Sequence, residues 1–202
     1  MEDFTGKIIN KIRQQKLHTL SLYSKLWMSI ELSLKKIQYG KDVHFWGTAC
    51  MVRFPGSTII IGNNCSFRSD KTSNLIGVNR KCILSTHSKN ASLIIGTNCG
   101  FSGTVIGSKE KIIIGNDVLF GANTLITDFD WHGVQPDKRR SYTGDSKEII
   151  IGNNVFIGYG SVVLKGVTIG DNSVIGANSV VTKNIPANVI AGGNPCKVIK
   201  EL

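Results

Sequence analysis

The sequence predicts an all-β fold, a parallel β-helix of stacked hexapeptide coils, with an N-terminal α-helical segment before it and one long excursion loop within it. Three observations carry this expectation. Residues 151–186 divide without a break into six hexads, each beginning with Ile or Val. The same register, less regular, appears upstream at Ile61, Ile95 and Ile114, so repetition covers about two thirds of the chain. Residues 1–40 instead carry apolar side chains at steps of three and four, the period of a helix.

The first segment, residues 1–40, places Ile8, Ile9, Ile12, Leu20, Tyr23, Leu26, Trp27, Ile30, Leu34 and Ile37 on that period, which predicts one or two amphipathic helices before Gly40. It is also basic. The formal charge of the 202-residue chain is +10, and residues 1–41 hold eight of its Lys and Arg against Glu2, Asp3 and Glu31. Such a helix suits packing on its own β-helix or on a partner subunit, and it also suits an anionic membrane surface. The charge as a whole fits nucleic acid, an anionic membrane or a phosphate-bearing small ligand.

From residue 41 to 202 the texture changes to short β-branched stretches between Gly-Asn and Asn-Asn turns. Ile151-Gly152-Asn153-Asn154-Val155-Phe156 shows the pattern. Its branched first residue points into a narrow prism and stacks on its equivalents, the small fifth residue shares that interior, and Gly with Asn accepts the positive φ of a tight corner. Three hexads make one triangular coil. Cys65, Cys82 and Cys99 recur at seventeen residues, close to one coil, and are read as small inward-facing residues. Five cysteines without a Cys-x-x-Cys pair argue against a disulfide framework and a zinc knuckle.

Residues 127–148 break the period. An insertion of about twenty residues in a compact repeat is usually functional, and this one holds Asp128, Asp130, Trp131, His132, Arg139 and Arg140. No apolar run approaches the roughly 20 residues that span a bilayer. The first residues carry acid where a secretory signal carries base, which favours cytoplasmic residence, with the inner membrane face as the site of any lipid contact.

The motifs Trp131-His132-Gly133, Ile151-Gly152-Asn153-Asn154-Val155-Phe156-Ile157-Gly158, Gly176-Ala177-Asn178-Ser179-Val180-Val181-Thr182-Lys183 and Gly193-Asn194-Pro195-Cys196-Lys197-Val198-Ile199-Lys200 resemble the galactoside and maltose O-acetyltransferase branch of the hexapeptide-repeat acyltransferases. The resemblance runs from about Ile112 to Leu202. It implies a left-handed parallel β-helix, acetyl-CoA as co-substrate without a metal, and a homotrimer with its sites between subunits. It implies His132 as the general base on an acceptor hydroxyl, a task suited to a neutral imidazole. Backbone N–H groups near Gly158 and Tyr159 match the oxyanion-stabilising turn. The positions matching the coenzyme contacts are Phe156, Tyr159, Ala177, Thr182, Lys183, Lys197 and Lys200.

Acceptor contacts are expected from Trp131, Asp130, Arg139 and Ser102. Trp131 either stacks on a sugar ring or anchors its own loop, and Arg139 with Arg140 either binds an acidic group or pairs with Asp137 and Asp145. The branch holds its acceptor with an Asn in the coil before the loop. Here that region reads Cys99-Gly100-Phe101-Ser102-Gly103-Thr104, and residues 1–50 do not match the branch's N-terminal cap, so substrate identity does not carry over. The Asp-Trp-His motif is similar to acetyltransferases of surface-polysaccharide clusters, which points to a sugar of capsule, O-antigen or exopolysaccharide. An amino sugar or an antibiotic hydroxyl is the alternative acceptor, and a non-catalytic scaffold the alternative class. A γ-type carbonic anhydrase would need three zinc-binding His, and of His18, His44, His87 and His132 the two within the coils lack the paired spacing of that site.

Overall fold

The computed structural model describes residues 3–140 and 144–202. One helix, α1 (Phe4–Leu34), opens the chain. Asp3 caps it, its Oδ1 accepting the Gly6 N–H at 2.8 Å. Ser24, Met28 and Leu32, at successive i+4 positions, are buried where the helix lies across the open end of the prism. There the Ser24 hydroxyl accepts the Gly47 N–H at 3.1 Å.

The rest is the expected left-handed parallel β-helix. Its first face stacks Gln38–Tyr39, Thr58–Ile61, Ser92–Ile95, Lys111–Ile114, Ile149–Ile151 and Thr168–Ile169. The second face stacks His44–Trp46, Ser66–Arg68, Gly100–Ser102, Leu119–Phe120, Phe156–Ile157, Val174–Ile175 and Val189–Gly192, closed by the antiparallel strand Lys197–Glu201. On the third lie Cys50–Val52, Ile83–Thr86, Val105–Ser108, Leu125–Thr127, Val162–Val163 and Val180–Val181. In the regular coils Ile150 pairs with Thr168, Phe156 with Val174 and Val162 with Val180, each 18 residues apart.

The interior follows the hexad logic. Every inward Ile and Val of residues 151–181 at the first position is buried, and so are the fifth-position Val155, Ser161, Val167, Ser173 and Ser179. Cys65, Cys82 and Cys99 face inward too, and all five cysteines are free. Upstream the second face fills the wider space with a ring stack: Phe45 on Phe67 at 5.1 Å, Phe67 on Phe101 at 4.8 Å, and Phe101 on Phe120 at 4.8 Å.

Corners explain the Asn residues. Asn64, Asn98, Asp117, Asn154, Asn172 and Asn188 stand one above another with φ between 53° and 61°. Their side chains bond along the stack, Asn154 Nδ2 to Asn172 Oδ1 at 3.0 Å and Asn172 Nδ2 to Asn188 Oδ1 at 2.8 Å. Gly96 is required for a different reason: a Cβ there would lie 2.5 Å from the Gly115 carbonyl oxygen of the next coil.

Two insertions leave the prism. Across the expected one, Leu125 pairs with Val162, 37 residues on. The other was not expected: Cys50 pairs with Ile83, 33 residues on, because residues 69–82 form a second excursion between the second and third faces. Its small polar residues resemble a loosely kept hexad, which hid it in the sequence.

Candidate active site

The long loop leaves the corner between the third and first faces after Thr127 and returns at Ile149. Its stem is a short antiparallel ladder, with the Lys147 N–H on the Asp128 carbonyl at 2.8 Å and the Asp130 N–H on the Asp145 carbonyl at 3.1 Å. Asp128 anchors that stem. Fully buried, it accepts the Lys109 N–H at 2.6 Å, the Ser108 hydroxyl at 2.8 Å and the Glu110 N–H at 3.0 Å. Burial raises its carboxyl above the usual range, and these donors pull against that rise.

Beyond the stem, Trp131 folds back over the third face. Its indole meets Phe129 at 4.7 Å and the edge of His87 at 4.9 Å between centroids. Gly107 makes room for it, since a Cβ there would sit 2.9 Å from Trp131 Cζ2 and the backbone at Gly107 has no positive φ to require glycine. His87 in turn is fixed by a 2.8 Å bond between Nε2 and the Ser85 hydroxyl. Burial lowers the His87 pKa, with the Asp128 charge acting the other way. His87, Gly107 and Asp128 are the parts of this site that motif reasoning missed as a group, because they come together only when the loop folds back on the coil.

His132 is exposed, and its Nδ1 lies 3.2 Å from the carbonyl oxygen of Arg139. A carbonyl only accepts, so in the neutral ring Nδ1 carries the proton and Nε2 keeps its lone pair facing outward from that contact. The Arg139 guanidinium turns back into the loop, its Nη2 donating to the Val134 carbonyl at 3.3 Å. Asp130 is ion-paired with Lys165 of the following coil, which neutralises the carboxylate expected on the acceptor.

The remaining sites fall in two groups. Thr182 and Lys183 follow Val180–Val181 and so lie on the same corner as the loop, with Lys165 between them and it. Tyr159 and Ala177 occupy the opposite corner of the third face, where the Tyr159 hydroxyl meets Asn123 Nδ2 at 3.3 Å. Ser102 lies toward that opposite corner, buried and accepting from Asn74 Nδ2 at 3.1 Å, away from His132. Phe156 lies exposed on the second face in one row with Val174, Ile190 and Lys200. Lys197 begins the same closing strand. Among the described residues Lys183, Lys197 and Lys200 have no acidic partner, so their charge is available to a phosphate. Gly158 spends its N–H on the Ile175 carbonyl at 2.7 Å, which leaves the Tyr159 N–H as the donor of that turn.

Known proteins resemble the chain over much of its length. Residues 148–183 match the bacterial transferase hexapeptide (six repeats), and residues 111–135 match the hexapeptide repeat of succinyl-transferase. The chain is 39% identical over 142 residues to a galactoside O-acetyltransferase of Lactococcus lactis subsp. lactis (strain IL1403), covering 70% of this chain and 62% of that protein. It is 35% identical to a polysialic acid O-acetyltransferase of Escherichia coli O1:K1 / APEC over 56% of this chain and 38% of the other. Both matches span less than two thirds of the relative's length. A hexapeptide-repeat acetyltransferase of Vibrio cholerae O1 biovar eltor, solved with acetyl coenzyme A, superposes with a TM-score of 0.50 at 32% identity, covering 54% of this chain and 60% of that one. The chain carries the hexapeptide repeats of the bacterial transferases and is similar to the acyltransferases of the galactoside O-acetyltransferase-like branch.

Proposed function

We propose that the protein is an acetyl-CoA-dependent O-acetyltransferase acting on a saccharide hydroxyl of a surface polysaccharide, in the cytoplasm and as a homotrimer. The observation that carries this is the Arg139 carbonyl on His132 Nδ1, which leaves an exposed Nε2 as a base. Nε2 takes the proton of the acceptor hydroxyl while its oxygen bonds to the acetyl carbon. The carbon–sulfur bond breaks, and the imidazolium returns its proton to the departing CoA thiolate. The Tyr159 N–H serves the charge that develops on the thioester oxygen.

Acetyl-CoA fits the residues present. Lys183, Lys197 and Lys200 supply unpaired charge for its phosphates, with Thr182, Ala177, Tyr159 and Phe156 along its arm. The names of the two relatives support O-acetylation of sugars, and the acetyl coenzyme A bound by the Vibrio protein supports the donor. Trp131, boxed by Phe129 and His87 yet still partly exposed beside His132, is the platform for the sugar ring.

The same placement supports trimerisation. His132 and Tyr159 sit at opposite corners of one face of a single chain, so one groove holds both when the corner of a second subunit meets the loop of the first. Incubation with acetyl-CoA and a panel of sugar nucleotides and oligosaccharides tests the reading. Release of CoA with acetylation of a sugar oxygen is expected. CoA release with none of these acceptors, or acetylation at an amine alone, contradicts it.

A further inference from the structure

α1 has two apolar faces, and the prism uses one. Met28 and Leu32 are buried on it. Leu26 and Ile30, two residues to either side of Met28, point the opposite way and are 67% and 54% exposed. Ile8, Ile12 and Tyr23 continue that outer face.

The face does not stop at the helix. Arg13 Nη2 donates to the Thr72 carbonyl at 3.1 Å, which ties the 69–82 excursion to α1. A groove lined by Ile9, Ile12, Lys16 and Leu75 runs between the two, and Ile76 stands exposed next to it. Two segments about sixty residues apart thus build one outward apolar surface, where a soluble monomer ordinarily scatters such residues singly.

Charge selects the occupant. α1 carries Lys7, Lys11, Arg13, Lys16 and Lys25, and its one acid, Glu31, is engaged by Lys35. Two copies meeting on this face would bring like charges together within a Debye length, and among the described residues α1 holds no carboxylate besides Glu31 to offset them. An anionic lipid headgroup layer supplies the opposite charge and an apolar interior to the same surface.

We propose that the outer face of α1, with Leu75 and Ile76, seats the protein on an anionic membrane surface. Leu26, Ile30 and their neighbours enter the headgroup boundary and the cations stay at phosphate level. Among the described residues no helix is long and apolar enough to cross a membrane, and the proposed contact is a peripheral one. Through the 69–82 excursion the surface adjoins Asn123, whose Nδ2 meets both the Gly77 carbonyl and the Tyr159 hydroxyl, and it brings the site to acceptors that are carried on lipid.

Co-sedimentation of the full chain with phosphatidylcholine vesicles, and with phosphatidylcholine–phosphatidylglycerol vesicles, tests this. The parent should pellet with the anionic vesicles, and Leu26→Glu with Ile30→Glu should lower its partition more than about tenfold. Lys11→Gln with Lys16→Gln should lower it by roughly fivefold per lysine on anionic vesicles only, and this pair carries the test if the Glu variant does not fold. A parent that stays in the supernatant, or a Glu variant that pellets equally, overturns the proposal. So does a Glu variant that changes the oligomeric mass while the parent ignores vesicles, an outcome that assigns the face to a second copy. A parent that pellets but transfers no acetyl group refutes the acetyltransferase reading alone.

Discussion

His132 Nδ1 and the Arg139 carbonyl oxygen, seven residues apart in the loop, lie 3.2 Å from one another. The contact is to the backbone of Arg139, and its guanidinium is occupied with Val134. Arg139→Ala keeps the carbonyl, so kcat should stay within a few-fold of the parent. A loss as large as that of a His132 variant in a kinetic comparison would show that the guanidinium itself acts on substrate.

Gly107 is glycine for the sake of Trp131. Gly107→Ala places a methyl 2.9 Å from Cζ2 and pushes the indole out of its seat. The expected result is a raised KM for the saccharide with the KM for acetyl-CoA unchanged, and a shifted tryptophan emission. An unchanged acceptor KM alongside a shifted emission would remove Trp131 from acceptor binding.

His87 makes stability depend on pH. Its pKa is lowered by burial, Asp128 acting the other way and Ser85 bonded to Nε2, so the unfolded chain holds the proton more readily than the folded one. The contribution is intact above about pH 6.5, the ordinary histidine value, and is lost as pH falls below it. Thermal melts from about pH 7.5 to about pH 5 should show the parent losing more stability than His87→Gln. Parallel pH profiles would contradict the assignment.

Corner residues test the stack. Asn172→Ala removes bonds to Asn154 and Asn188 and leaves alanine at φ 59°. The left-handed backbone alone costs about 1–2 kcal/mol, and denaturant unfolding should register at least that. Asn153→Ala, whose φ is not positive, should cost less. The reverse order would mean the ladder, not the backbone, dominates.

Hexad positions were legible because each residue answers to a local demand: Ile169 to the prism interior, Asn172 to a positive φ, Ser173 to a narrow space. His132 stands out in the sequence because its loop breaks that regularity. Its orienting partner does not, since a backbone carbonyl has no residue type to signal it. The pairing of Asp130 with Lys165 was hidden for another reason, being made across coils 35 residues apart. The 69–82 excursion escaped notice because the earliest coils are irregular throughout, as the 22-residue offset between His44 and Ser66 shows. Ser102 was placed by its alignment with the loop-preceding coil, but the strand carries it toward the far corner of the third face.

Turnover by His132→Ala with acetyl-CoA and the acceptor found by screening is the most direct test of the central claim. Positioned general-base catalysis is worth on the order of 10²–10⁴ in rate, so kcat should fall by that factor while acetyl-CoA binding and the melting temperature remain those of the parent. Turnover within a few-fold of the parent would contradict His132 as the base.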